Sequence, residues 1–256
     1  MAEQYIKMKT ESNRKKKKRK RFIKILMLFI VLISVLITLC LKLSYFNVQK
    51  IDVLGNKNVT KEEITKLSSI AEGNNIFYAN LKTSRTNILK NPNIMDVHIK
   101  RIFPSKIVIN VKERDAVFYL QKDSKFLIID KEGIVIDQKD NIDNLKLIRL
   151  DGMEIKDVIV GKKLSVQDKR AIELIGKVTE LYNNNLSKYS MTSANLNNLL
   201  SINFYYGNMC VKIGTADEME KKLNKALNVM ETQGLADKKG YIDVSYEGNP
   251  VFYIEK

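Results

Sequence analysis

The side chains that could do chemistry are few and scattered. His98 is the single histidine of the 256 residues, and it stands between Asp96 and Lys100 in a run that alternates apolar and polar positions. One imidazole excludes a paired-histidine zinc motif, and this one reads as a solvent-facing strand residue. The two cysteines, Cys40 and Cys210, are not at zinc-ligand spacing. Cys40 lies in a long apolar run and Cys210 in a strand-like one, so they are not expected to pair within a chain. Asp137, Asp140 and Asp143 hint at a cation loop, but the stretch lacks the glycine at the sharp turn and the closing glutamate that a calcium loop needs. It reads as a solvated acidic loop. Gly161-Lys162-Lys163 lacks the upstream glycine spacing of a phosphate loop, and no Gly-x-Ser-x-Gly elbow occurs. No nucleophile, base and orienting group come together, so neither catalysis nor a cofactor or metal is expected.

What the sequence does offer is an anchor and a set of surfaces. Ile25 to Leu41 carries no charge, and Lys24 and Lys42 bracket it. With snorkelling at both ends, residues 22–43 supply the roughly 20 residues that a bilayer core requires. Immediately before it come Arg14, Lys15, Lys16, Lys17, Lys18, Arg19, Lys20 and Arg21. Most of the +15 net charge of the chain is therefore concentrated in its first residues. A Lys/Arg cluster beside a span sets topology and contacts anionic lipid. Against a span, that reading is preferred to a nucleic-acid arm. The apolar run exceeds the roughly 7–15 residues of a signal-peptide core and is followed by no small-x-small cleavage site. The expectation is a single-pass protein with residues 1–21 as a cytoplasmic tail, an uncleaved helix, and everything beyond on the outer face. With no disulfide, the outer region must be held by burial; 45% of the chain is hydrophobic.

Residues 46–114 read as strand, helix, helix, strand, strand. Val48, Ile51 and Val53 open a strand that stops at Gly55-Asn56. Thr60 and Glu63 form a capping box for a helix through Ile64, Leu67 and Ile70. A second helix over Leu81 to Lys90 ends at Asn91-Pro92. Ile94 to Phe103 and the alternating Ile107, Ile109, Val111 run are strands around a reversal at Pro104-Ser105, with Val108 on the polar side. Two helices on one face of a three-stranded sheet would bury both apolar stripes.

Residues 115–256 continue with strands at Ala116 to Leu120 and Phe126 to Ile129, a hairpin turn at Asp130-Lys131-Glu132-Gly133, a return strand at Ile134 to Ile136, and a further strand candidate at Leu145 to Leu150. A helix over Gln167 to Asn183, capped by Ser165, presents Leu174, Ile175, Val178, Leu181 and Tyr182 on one stripe. Strands follow at Met191 to Leu196, Leu200 to Tyr206 and Met209 to Ile213. Thr215 and Glu218 form a second capping box, starting a helix with Met219, Leu223, Ala226, Leu227 and Met230 inward and Gly234 at its end. Tyr241 to Tyr246 and Val251 to Ile254 close the chain.

Several of these runs resemble a known family. Phe46-x-Val48-x-x-Ile51-x-Val53-x-Gly55-Asn56, then Val59-Thr60 and Glu63-Ile64, is similar to the opening of a POTRA domain of the FtsQ/DivIB type, from the bacterial cell-division family of that name. Gly73-x-Asn75-Ile76-Phe77, Asn91-Pro92-x-Ile94, Arg101-Ile102-Phe103-Pro104-Ser105 and Val111-x-Glu113-Arg114 continue the likeness. So do Phe126-Leu127-Ile128-Ile129-Asp130-x-x-Gly133, Val211-x-Ile213-Gly214 and Tyr241-Ile242-Asp243-Val244-x-Tyr246. The chain departs from the family at Asp115, where a proline is common shortly after the Glu-Arg pair, and at Ser245, where arginine is usual.

The resemblance, which covers residues 14–256, implies an α+β fold: one transmembrane helix, a β-α-α-β-β POTRA domain, and a mixed α/β domain ending in an edge strand. It implies a non-catalytic scaffold of the divisome at the septum, with FtsB/DivIC-like and FtsL-like partners. It places the leading partner site at Val251, Phe252, Tyr253 and Ile254, with Tyr246 contributing. A strand that merely closes its sheet remains the plain alternative there. Two other functions stay open beside it: a signal-anchored cell-wall enzyme, and a POTRA-bearing chaperone or transport component.

Overall fold

The uncharged run folds as the C-terminal part of a long helix, α1 (Ala2–Lys42). In the computed structural model residues 2–166, 168–184 and 187–255 are described, with side chains from Lys18 onward. The segment Lys18–Lys42 is 25 residues long, contains an 18-residue stretch of mean hydropathy 2.9 in which no residue is buried, and is long and apolar enough to cross a membrane. The helix stops at Lys42, so Leu43 lies outside it. A short 3-10 turn, Ser44–Phe46, follows.

The chain divides into two compact units. One holds everything through Leu54 together with Lys61–Thr86 and His98–Asn110; the other holds Gly55–Thr60, Asn87–Val97 and Val111 onward. Among the described residues the strands form two sheets, of three and nine strands.

After the 3-10 turn come β1 (Lys50–Leu54), α2 (Lys61–Ser68), α3 (Leu81–Ile88), β2 (Ile94–Ile102) and β3 (Lys106–Glu113). This is the β-α-α-β-β order read from the sequence. The smaller sheet is ordered β1-β3-β2, with β1 parallel to β3 and Ile51 opposite Ile107. Ile64, Ile76, Ile88, Ile107 and Ile109 are fully buried. Two expectations fail. The helix α3 ends at Ile88 rather than Lys90, because Lys90 and Asn91 donate their N–H groups to Asn87 and Ile88 in a tighter turn ahead of Pro92. Val108 is buried as well, although Asn110 and Lys112 on the same face are half-buried and exposed, so alternation along β3 understates burial at that one position.

The Glu113-Arg114 pair of the family motif organises local backbone. The Glu113 carboxylate accepts N–H groups from Lys57 (2.7 Å), Asn58 (2.8 Å) and Val59 (3.0 Å). Arg114 Nη1 donates to Asp130 at 2.5 Å and to Glu132 at 3.0 Å. Buried Asp130 in turn accepts the N–H groups of Glu132 and Ile134, which fixes the hairpin turn. Asp115, in place of the common proline, ion-pairs with Lys57 at 3.1 Å in solvent.

The larger sheet contains β4 (Ala116–Lys122), β5 (Lys125–Asp130), β6 (Val135–Lys139), β7 (Ile148–Asp151), β8 (Ser193–Asn195), β9 (Ile202–Tyr206), β10 (Met209–Gly214), β11 (Gly240–Asp243) and β12 (Val251–Ile254). Its order is β12-β11-β10-β9-β8-β7-β4-β5-β6. Hairpin neighbours are antiparallel, whereas β4–β7, β7–β8 and β10–β11 are parallel. Helix α4 (Arg170–Asn184) contributes Leu174, Ile175 and Val178 to the core, and α5 (Met219–Thr232) contributes Met219, Leu223, Ala226, Leu227 and Met230, as their periodicity requires.

Both expected caps of this region fail. The Ser165 carbonyl accepts the Lys156 N–H, and α4 begins beyond it, where Asp168 accepts the Arg170 N–H at 3.0 Å. Gln167 lies outside the described residues. At α5 the N-cap residue is Glu218 in a left-handed conformation (φ 48°) with no side-chain cap bond. Its carboxylate pairs instead with Lys221 at 2.9 Å. The Thr215 carbonyl and hydroxyl are taken by Lys222 Nζ, so the Thr215-Glu218 box does not form.

Candidate functional site

The site begins with a glycine. At Gly240 a Cβ would lie 2.0 Å from the Tyr253 carbonyl oxygen, so only glycine lets β12 approach β11 this closely. The two strands pair antiparallel, with Gly240 opposite Ile254, Tyr241 opposite Tyr253, Ile242 opposite Phe252 and Asp243 opposite Val251. The Glu255 N–H donates to the Lys239 carbonyl at 2.9 Å, and the two side chains form an ion pair at 2.6 Å. Hydrogen-bonded pairs alternate along an antiparallel ladder. Val251, Tyr253 and Glu255 therefore turn their backbone groups toward β11. Phe252 and Ile254 turn theirs to the open side.

β12 ends the larger sheet, and all four of its side chains are exposed, from 36% at Ile254 to 53% at Tyr253. Since neighbouring residues point to opposite faces, the strand is uncovered on both. It is an apolar edge with its outward backbone groups on one flank. Tyr253 stacks on Tyr241 with centroids 5.7 Å apart, and Lys212 Nζ sits 3.6 Å from the Tyr241 ring centroid. The result is a Lys-Tyr-Tyr row running to the edge. Tyr246 lies in the connection between β11 and β12 rather than on the edge strand. It is exposed and donates its hydroxyl hydrogen to the Asn249 carbonyl at 3.1 Å.

The structure thus brings Val251, Phe252, Tyr253 and Ile254 together, with Tyr246 in the adjoining loop. Sequence reasoning missed Gly240, Lys212 and the role of Tyr241. Gly240 directly before a strand was a readable signal; the Lys212–Tyr241 contact depends on β10 and β11 being parallel neighbours, which no local pattern encodes. Of the basic tract, Lys18, Arg19, Lys20 and Arg21 are exposed on α1, and the side chains of Arg14, Lys15, Lys16 and Lys17 lie outside what is described.

The remaining chemical candidates stay dispersed. His98 is exposed on β2. Asp137 lies in β6 and pairs with Lys139, while Asp140 and Asp143 sit in the following loop. Cys40 and Cys210 are both free thiols. Among the described residues no group of three or more His, Cys, Asp or Glu could hold a metal ion.

This architecture, a helix long and apolar enough to cross a membrane, a small βααββ module and a larger mixed sheet with an open C-terminal edge, defines a class also found by sequence comparison. Residues 46–114 match the FtsQ-type POTRA domain, and residues 118–245 match the C-terminal domain of cell division protein FtsQ/DivIB. Relatives include the cell division protein DivIB of Clostridium botulinum strain Hall, 49% identical over 224 residues that make up 87% of this chain and 88% of that protein. DivIB of Clostridium acetobutylicum is 43% identical over the same shares of both chains. DivIB of Bacillus subtilis is 33% identical over 103 residues, 40% of this chain and 39% of that one. The chain belongs to the FtsQ/DivIB family of bacterial cell-division proteins. Its role is in the divisome, with membrane anchoring and divisome partners.

Proposed function

We propose that the chain is a non-catalytic scaffold that holds divisome partners at the septal membrane by accepting a strand on β12. The observation that carries this reading is the state of that edge: Phe252 and Ile254 offer backbone donors and acceptors to the open side, and apolar side chains are uncovered on both faces. A partner strand added there gains ladder hydrogen bonds for affinity and side-chain contacts for specificity. By family resemblance the partners are FtsB/DivIC-like and FtsL-like proteins. The dispersal of His98, the aspartates and the thiols favours this over a cell-wall enzyme, which needs its groups positioned together.

The basic tract Arg14 to Arg21 orients the anchor with its N-terminal side in the cytoplasm and contacts anionic lipid there. Residues 46–114 and 115–256 act as the two outer domains. To test the scaffold role, full-length protein in detergent is titrated with the soluble outer domains of the two partner types. Deleting Val251 onward should abolish measurable binding. Binding that survives the deletion shows that the edge is not the site, and turnover of a wall substrate dependent on one carboxylate would replace the scaffold with an enzyme.

A further inference from the structure

The loop that follows α2 is tied to the end of α1. Asn75 Nδ2 donates to the carbonyls of Cys40 (2.9 Å) and Leu41 (3.2 Å), in the last turn of the apolar helix. Those carbonyls are among the four that any helix leaves without intrahelical partners. Asn75 is itself buried, and its Oδ1 accepts the Phe77 N–H at 3.0 Å. The same loop is laced to the chain leaving α1: Ile76 N–H to Phe46 O, Val48 N–H to Asn74 O, and Gly73 N–H to Val48 O, each 2.8 Å. Arg101 holds its far side, donating to the carbonyls of Ile76 (2.9 Å) and Ala79 (2.6 Å).

Around this tie runs a chain of aromatic rings. Tyr45 meets Phe46 edge-on at 5.2 Å, Phe46 meets Phe77 at 5.6 Å, and Phe77 stacks on Phe103 at 5.3 Å. A cluster of this kind is ordinarily buried, yet Tyr45 is 63% exposed, Phe103 57% and Phe77 38%, with Tyr78 at 67% and Ile102 at 48% beside them. The 25 residues of Lys18–Lys42 span about 37 Å as a helix, against about 30 Å of hydrocarbon. With α1 across a bilayer, Cys40 and Leu41 would stand near the boundary between acyl chains and headgroups, and the Asn75 bonds would hold the ring cluster at that depth.

We propose that this cluster is a bilayer contact: Tyr45, Phe77, Tyr78 and Phe103 rest in the interfacial zone of the leaflet where α1 ends. Aromatic rings favour that zone, where an apolar body and a polar tip are both satisfied. The contact would fix the module's tilt against the membrane instead of leaving it on a swivel. The proposal rests on α1 crossing the membrane, so its test reads both.

The chain contains no tryptophan, so a single introduced one reports alone. Full-length Phe103→Trp, Tyr78→Trp and Leu32→Trp variants are reconstituted separately in phosphatidylcholine vesicles, without brominated lipid and with lipid brominated near the headgroup end of its acyl chains (read at positions 103 and 78) or near their methyl end (read at position 32). Positions 103 and 78 are already exposed, so the fold should tolerate both changes, and circular dichroism checks it. Brominated lipid should cause a loss of fluorescence at all three positions, and acrylamide in the water should reach 103 and 78 poorly. Quenching at Leu32 with none at Phe103 or Tyr78 overturns the proposal and leaves the span intact; acrylamide then shows whether water or a second copy of the chain covers the rings. No quenching at Leu32 overturns both.

Discussion

Glu113 shows how one side chain is fixed by backbone. Burial alone would raise its affinity for a proton, but the amides of Lys57, Asn58 and Val59 outweigh burial and hold the carboxyl below the usual range. The ordinary value for the unfolded chain is 4.5. Because the folded value is depressed, the stabilisation is complete above that pH and is lost as pH falls through the folded value. Glu113→Gln should cost about 1–3 kcal/mol at neutral pH. The gap from the wild type should close as the solution is acidified below about pH 4.5. Urea titrations across that range check it, and a gap independent of pH would mean that the amides do not depend on the charge. Glu113 was visible in the sequence only as part of a family motif. Its three partners lie more than fifty residues upstream (|i−j| 54 to 56), beyond any periodicity.

At the scale of elements, the strands and helices that face a core were legible because burial imposes a period. Leu223, Ala226, Leu227 and Met230 are buried where the helical repeat puts them. Helix starts were less legible, because a Thr-x-x-Glu spelling competes with other partners: Lys221 and Lys222 claim Glu218 and Thr215. Sheet order was not legible, since a period of two does not name a strand's neighbour. The parallel β10–β11 pair, which brings Lys212 to Tyr241, is such a case. The candidate edge itself was legible as an apolar run, Val251 to Ile254, but not which of its backbone groups are free. That division makes a prediction. Phe252→Pro removes a donor on the open side, which an edge strand tolerates, so the fold should persist while partner affinity drops about two- to tenfold, the worth of one net hydrogen bond. Gly240→Ala should also weaken binding, by pushing Tyr253 away. Calorimetric titration of each variant checks the pair; unchanged affinity in Phe252→Pro would show that the partner does not pair with the backbone.

At the scale of the whole molecule, charge and hydropathy divide the chain sharply. Of the 44 Lys and Arg residues, eight stand consecutively from Arg14 to Arg21, directly before the apolar helix. With Cys40 and Cys210 replaced by serine, Ser12→Cys should react with a membrane-impermeant maleimide only after cells are permeabilised, and Leu200→Cys should react in intact cells. The reverse pattern would invert the proposed topology. Leu200 is 75% exposed, so a missing signal there would not come from burial.

The four-residue length of β12 has a consequence for time. Two outward-facing residues can exchange about four hydrogen bonds, together about 4 kcal/mol, which corresponds to millimolar affinity. At ordinary association rates a backbone contact of that strength dissociates about 10²–10⁴ times per second. Lasting attachment must then come from side chains or from several such contacts held together. A junction built from brief attachments can be taken apart as readily as it is made, which suits an apparatus assembled and dismantled once in every division.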